Sequence, residues 1–405
     1  MTSQTSHRAP QAVRGAVTRK ERALAPDLAR GMMLLIVALA HSACAFFLTT
    51  PGAKQQPEGL ESLYNVFLFT CVHARGNPLF AIMFGYALVQ MAQRQESAGA
   101  GPRQVRAVLL RRNAWLFVIG AAHGILLFDG DILGAYGIIG VGFALLAIRR
   151  SDRFIRVAGL GYLGFSLLYV VVLAVMATLG LPGGSGRSAP LPLADNLSYA
   201  ADGYPASMIV RLAEWPMVTL VFLPLFLYTF IGAWAARHRL LEEPEKHRTL
   251  LRRGAIVGLG ISITGGLPMG LYAAGFLAVD ADAATRVKML YEVSGFFGGI
   301  GYGCLFGLIA IRLSGRTVHG TVVTAITALG QRSLSGYLAQ SVFWLVLGTP
   351  FLLDLSKTVT ANGFLVGVVG VAVWLFTVVV AYVMHQLSYR GPAELLLRRL
   401  TYGKR

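Results

Sequence analysis

About ten apolar runs, at residues 28–48, 64–92, 108–128, 132–149, 154–180, 215–236, 254–278, 293–312, 333–353 and 362–386, occupy most of this chain. A helix needs about 20 apolar residues to cross a hydrocarbon core roughly 30 Å thick. Inside that core each backbone N–H and C=O must be satisfied without water, which leaves helices or a closed barrel. Runs of this length are read as helices, so the fold class is all-α: a polytopic helical membrane protein with about ten transmembrane helices. A mean hydropathy of +0.61 with only 14% charged residues excludes a soluble domain of ordinary composition.

The formal net charge is +17. Lys and Arg lie mostly at the ends of apolar runs, as juxtamembrane anchors do, so they point to the lipid bilayer as partner rather than to nucleic acid. Segments 94–112, 149–156, 237–253, 312–332 and 390–405 are basic, whereas the intervening connections carry Glu58, Glu61, Asp129, Asp131, Asp195, Asp202, Asp280, Asp282 and Asp354. By the positive-inside rule, both termini are cytosolic, in a multi-pass protein of the plasma membrane. Residues 1–26 read as a disordered basic cytosolic tail before an uncleaved first helix, 27–390 as the transmembrane domain and 391–405 as a second basic tail. The outer connection over 181–214 contains a Pro/Gly-rich stretch and two tyrosines, and reads either as an acceptor-binding lid or as a plain connector. Cys44, Cys71 and Cys304 lie in apolar runs without metal-ligand spacing, so no metal is expected. The glycines over 298–303 suit close helix packing.

Ionisable groups inside such runs carry a functional expectation, because a charge at the bilayer centre costs about 2.5–3.5 kcal/mol even on the lenient scale. Arg30 and His41 share the first run, and eleven positions of helix separate them by roughly 16 Å. With Arg30 at the cytosolic interface, His41 falls in the outer half of the membrane. The second run contains His73-Ala74-Arg75-Gly76-Asn77-Pro78 and exceeds one straight span. Pro78 has no N–H and biases Asn77 away from helix, which predicts a half-helix followed by a shorter span. The third run ends in His123, a few residues from Asp129 and Asp131. A carboxylate beside a histidine fixes its tautomer and raises its basicity, as general bases require. The other reading is that Asp131 caps the fourth helix; for Asp129, capping is the expectation. In the ninth run Ser333, Tyr337, Gln340, Ser341 and Trp344 form a polar stripe, lining a cavity or bonding between helices. For His41 alone, a structural histidine is the competing reading. His238, His247, His319 and His385, beside basic segments, carry no assigned chemistry.

Several segments together resemble the DUF418 (YeiB-like) membrane proteins. They are Leu24-Ala25-Pro26-Asp27-Leu28-Ala29-Arg30-Gly31, Phe80-Ala81-Ile82-Met83-Phe84-Gly85-Tyr86, and His123 through Leu133 with Tyr136. Leu329 through Leu338, Gly391-Pro392-Ala393-Glu394 and Leu400-Thr401-Tyr402-Gly403 complete the set. That family is grouped with the transmembrane acyltransferases, in which a polar or basic residue, ten intervening positions and a histidine recur on the first helix. Arg30 and His41 match this spacing, whereas the DUF418 pattern often has Asn at the second position.

The resemblance and topology together imply transfer of an acyl group, acetyl first among candidates, from cytosolic acyl-CoA to an extracytoplasmic hydroxyl or amine. The acceptor would be a glycan, lipid or small molecule. Acyl-CoA is a co-substrate here, with no tightly bound cofactor expected, and a homo-oligomer is compatible. Arg30, Arg111, Arg112 and Arg332 would bind donor phosphates, for which the planar guanidinium is suited. His41 would be base or acyl carrier, with His123 and Asp131 completing the catalytic set. His73, Arg75, Asn77, Tyr136, Tyr337 and Gln340 would hold substrate. The alternative is a transporter or exporter of a small or lipid-linked substrate using the same intramembrane cavity.

Overall fold

The computed structural model describes residues 23–46, 57–179, 197–199, 201–314, 320–359 and 362–403. The N-terminal tail before residue 23, the Pro/Gly-rich start of the outer connection and His319 lie outside the described residues. In chain order the helices are α1 Leu24–His41, α2 Leu60–Phe67, α3 Gly76–Ser97, α4 Pro102–Leu126, α5 Leu133–Leu146, α6 Asp152–Leu179, α7 Tyr204–Val221 and α8 Phe226–Arg237. They continue with α9 Arg248–Ala273, α10 Ala281–Ser314, α11 Thr321–Gln331, α12 Ser333–Gly348, the short α13 Ser356–Val359, α14 Gly363–Gln386 and α15 Pro392–Tyr402. Among the described residues each of the ten apolar runs falls mainly on helix. Among the described residues seven helical segments are long and apolar enough to cross a membrane, with shorter apolar helices at α5, α11 and α12.

The breaks follow from local chemistry. The second run is interrupted at His73–Arg75, a few residues before the site expected from Asn77 and Pro78. Pro78 instead lies in the first turn of α3, where its missing N–H leaves no intrahelical bond unmade. The chain turns through Ala74, which adopts a positive φ of 62°. The sixth run is likewise divided, α7 from α8, by a short Leu223–Leu225 turn containing Pro224. π-Helical turns follow α1 at Ser42–Phe46 and α2 at Leu68–Val72. Such turns are rare and concentrate at functional sites.

Close helix approach depends on glycine. A Cβ at Gly330 of α11 would stand 1.8 Å from the Asp27 carbonyl oxygen of α1, and one at Gly31 would stand 2.2 Å from the Ile326 carbonyl oxygen of α11. The glycines of α10 do the packing expected of them: Gly298 faces Arg75 and Ser262, Gly299 faces Pro78 and Leu79, and Gly301 faces Leu259. α1 is thereby embedded among α3, α10, α11, α12 and α14. The bundle holds the His41 helix at its centre.

Candidate functional site

His123 sits near the end of α4, and its Nδ1 lies 2.7 Å from Asp131 Oδ1, with both side chains buried. The other carboxylate oxygen of Asp131 accepts the Gly134 N–H at 2.7 Å, in the first turn of α5. Helix cap and histidine partner are therefore one residue, with one oxygen for each task. Asp129 lies in the same turn, its Oδ1 buried without a partner among the described residues. In the neutral tautomer whose Nδ1–H donates to the Asp131 carboxylate, Nε2 presents its lone pair. Nε2 is buried and has no hydrogen-bond partner among the described residues.

Tyr337 of α12 joins this pair to His41. Its ring centroid lies 5.0 Å from that of His123 and 6.2 Å from that of His41. The His41 ring also packs on Phe128 at 4.7 Å and Phe46 at 6.0 Å, and its buried Nδ1 has no partner among the described residues. The Tyr337 hydroxyl and Gln340 Oε1 are in the same position, while Gln340 Nε2 donates to the Leu34 carbonyl of α1 at 3.4 Å. A buried polar atom left without a partner is uncommon and forfeits the hydration it had in water. Four such atoms, on His41, His123, Tyr337 and Gln340, surround the two histidines.

A cavity of about 260 Å³ reaches Tyr337 from the opposite end, and its wall includes Arg30, Phe84, Arg112, Tyr136 and Gln331. Arg30 is paired with Asp27 at 3.0 Å, and Arg112 lies over the Phe84 ring at 5.8 Å. Tyr136 is stacked on Phe80 and Phe84, and its hydroxyl donates to the Asn77 carbonyl at 3.2 Å. Asn77 thus contributes backbone, while its residue is exposed. Tyr337 belongs both to the cavity wall and to the histidine cluster, so its ring stands between the two.

The remaining candidates lie elsewhere. Arg111 is exposed and donates to the Thr401 carbonyl, and Arg332 donates to the carbonyls of Ala328 and Tyr389. Neither lines the cavity, so two of the four expected donor-binding arginines are brought together and two act in packing. His73 and Arg75 form a separate cluster. Arg75 Nε and Nη2 donate to the Ser262 hydroxyl and carbonyl at 3.0 and 2.7 Å, and Nη1 donates to the His73 carbonyl at 2.8 Å. Its guanidinium lies over the Tyr291 ring, while His73 Nδ1 hydrogen-bonds the Tyr291 hydroxyl. Those contacts tie the helix break to α9 and α10. They satisfy Arg75 as a structural cation.

Two residues near the site were not singled out by sequence reasoning. Arg211 of α7 is fully buried, donating to the Leu126 carbonyl at 2.9 Å and the Ser207 hydroxyl at 2.7 Å, which fixes the end of α4 just beyond His123. Arg211 falls in the connection read over 181–214, outside the apolar runs, so the sequence offered no burial signal for it. Glu394 of α15 accepts the Leu334 and Ser335 N–H groups at 2.8 and 3.1 Å, clamping the start of the Tyr337 helix, and also lines the cavity.

Residues 235–404 match the family model described as "Protein of unknown function (DUF418)". Two relatives align over 80% of the chain. "Uncharacterized protein YxaH" of Bacillus subtilis (strain 168) is 25% identical over 351 residues, 78% of its own length. "Uncharacterized protein YeiB" of Escherichia coli (strain K12) is 28% identical over 347 residues, 80% of its length. The family match over the C-terminal part of the chain and the two relatives aligned over most of it support the DUF418, YeiB-like resemblance carried by its motifs. The segments that carry this likeness meet in space: Asp27 to Gly31 packs on Gly330, Phe80 and Phe84 stack on Tyr136, and Glu394 clamps Leu334 and Ser335.

Proposed function

We propose that this protein is a membrane-embedded acyltransferase, related to the transmembrane acyltransferases, that uses cytosolic acyl-CoA and an extracytoplasmic hydroxyl or amine. The observation that carries this reading is the sequence of groups along α1. A cavity walled by Arg30 and Arg112 ends at Tyr337, and the far side of Tyr337 packs on His41 and on the His123–Asp131 pair. Arg30 and Arg112 would take the anionic donor from the cytosolic side, where the positive-inside rule puts both termini. The extended arm of CoA would bridge the interval of roughly 16 Å along the helix.

His123, rather than His41, is the better base, because Asp131 fixes its tautomer with Nε2 free of a proton. Nε2 takes the proton of the acceptor, whose oxygen or nitrogen bonds to the thioester carbonyl carbon. The carbon–sulfur bond breaks, and the departing thiolate takes up the proton from His123. The Tyr337 hydroxyl, buried and unpartnered among the described residues, is available to donate to the carbonyl oxygen as it gains charge. His41 orients the acceptor across the Tyr337 ring.

The test uses protein reconstituted in vesicles with labelled acetyl-CoA on the side of the termini and a panel of glycan, lipid and amine acceptors opposite. Wild type should transfer label with release of CoA, and His123→Ala should lower the rate at least a hundredfold. Equal transfer by both proteins removes His123 from the chemistry. Acceptor flux without CoA consumption assigns the cavity to transport instead.

A further inference from the structure

A second cavity, of about 310 Å³, lies away from the histidines, enclosed by α3, α6, α8, α9 and α10. Its wall is almost wholly hydrocarbon, including Ile82, Leu163, Leu241 and Ile300. Leu240 and Leu241 close one side because their loop is tied to α3, where the Tyr86 hydroxyl and the Gln90 amide both donate to Glu242. Leu160 and Leu250 line the cavity yet are 59% and 45% exposed, so the space opens onto the lipid-facing surface. Arg156 lines the same cavity and is itself exposed. Arg252 and Arg253 sit on α9 between the lining residues Leu251 and Gly254. None of these three arginines has a carboxylate partner among the described residues.

A pore-sized apolar space with a basic rim fits one class of molecule in its surroundings. We infer that the cavity between α3, α6, α8, α9 and α10 binds an acyl chain of an anionic phospholipid, with the lipid phosphate at Arg156. The volume agrees: at ~30 Å³ for a methylene, similar to a water's share of the liquid, about ten carbons fill it. Basic pockets between transmembrane helices hold anionic headgroups on the leaflet that carries such lipids. A snorkelling arginine suits the boundary, since its stem lies against hydrocarbon while the guanidinium stays at the headgroup level. The site is independent of the acyl-transfer reading, sharing no lining residue with the first cavity except Met83.

The experiment is native mass spectrometry of the full chain released from nanodiscs containing equal phosphatidylglycerol and phosphatidylcholine, in wild type, Arg156→Ala and Gly303→Phe. Gly303 lines the cavity, and a Cβ there meets only Leu79 at 3.8 Å, so the ring should enter the empty space without displacing backbone. Wild type should retain phosphatidylglycerol at least fivefold over phosphatidylcholine, Arg156→Ala should lose the preference, and Gly303→Phe should lose the bound lipid. Cys304, which also lines the cavity, gives a second readout: anionic lipid should slow its reaction with a membrane-permeant maleimide at least threefold. Equal retention of the two lipids, or equal occupancy and maleimide protection in Gly303→Phe, overturns the assignment. Preferential retention of long-chain acyl-CoA over phosphatidylglycerol overturns it as well.

Discussion

The contact between His123 and Asp131 can be weighed apart from any reaction by a double-mutant cycle of His123→Ala and Asp131→Ala. Asp131 has two tasks on two oxygens, the Gly134 N–H and His123 Nδ1, both at 2.7 Å. Losing the helix cap costs about 1 kcal/mol. A buried hydrogen bond to an ionised partner contributes about 1.5–3 kcal/mol. Asp131→Ala should therefore destabilise by about 2.5–4 kcal/mol in the wild type, but by only about 1 kcal/mol when His123 is already alanine. The difference, a coupling of about 1.5–3 kcal/mol, exceeds the roughly 0.6 kcal/mol average for hydrogen bonds between membrane helices. Reversible unfolding in mixed detergent micelles at pH 7 reads all four corners. A coupling of 0.6 kcal/mol or less would refute the reasoning, leaving Asp131 as a cap beside a passive histidine.

Two further outcomes test particular contacts. Asp129 lies in the turn between α4 and α5, where burial first and the Glu214 carboxylate second push its carboxyl up to about 6 from the ordinary 3.8. A raised carboxyl favours the folded state below its unfolded pKa and loses that contribution as pH rises toward 6, so Asp129→Asn should gain on wild type from pH 4 to pH 6 by up to about 3 kcal/mol; parallel thermal-stability profiles would count against the burial argument. Gly330→Ala puts a methyl 1.8 Å from the Asp27 carbonyl oxygen and should destabilise by at least about 1–3 kcal/mol in the same unfolding assay, whereas Gly320→Ala, with open space around it, should stay within about 0.5 kcal/mol.

What could be read from the chain divides along physical lines. Apolar length is a local property, so among the described residues the expected runs fell mainly on helix, and the interruption of the second run was visible in advance. Its position was not, because Pro78 is tolerated in a first helical turn while the chain turns at Ala74, against Gly295 of a distant helix. The His123–Asp131 contact spans eight positions and one turn, and spacing alone placed it within reach. Whether His41, His73 and His123 shared one space depended on how helices rotate against each other, which no local pattern encodes. Tyr337 brings His41 and His123 together, whereas Tyr291 draws His73 toward α10. Arginines were the least legible, since one residue type serves as cavity wall at Arg30 and as a carbonyl-bonded strut at Arg332.

α1 is completed by helices made long after it. Gly31 of α1 accepts the Trp374 indole N–H of α14 at 3.1 Å, and Glu394, beyond α14, fixes the start of the helix that bears Tyr337. During synthesis the contact of α1 with α14 must therefore wait until more than three hundred further residues have been made, while Asp27 already pairs Arg30 and Phe128 reaches His41 earlier. An early-inserted helix carrying two ionisable groups is a natural client for an insertase or chaperone, and its assembly is the step at which shortened or stalled chains would fail.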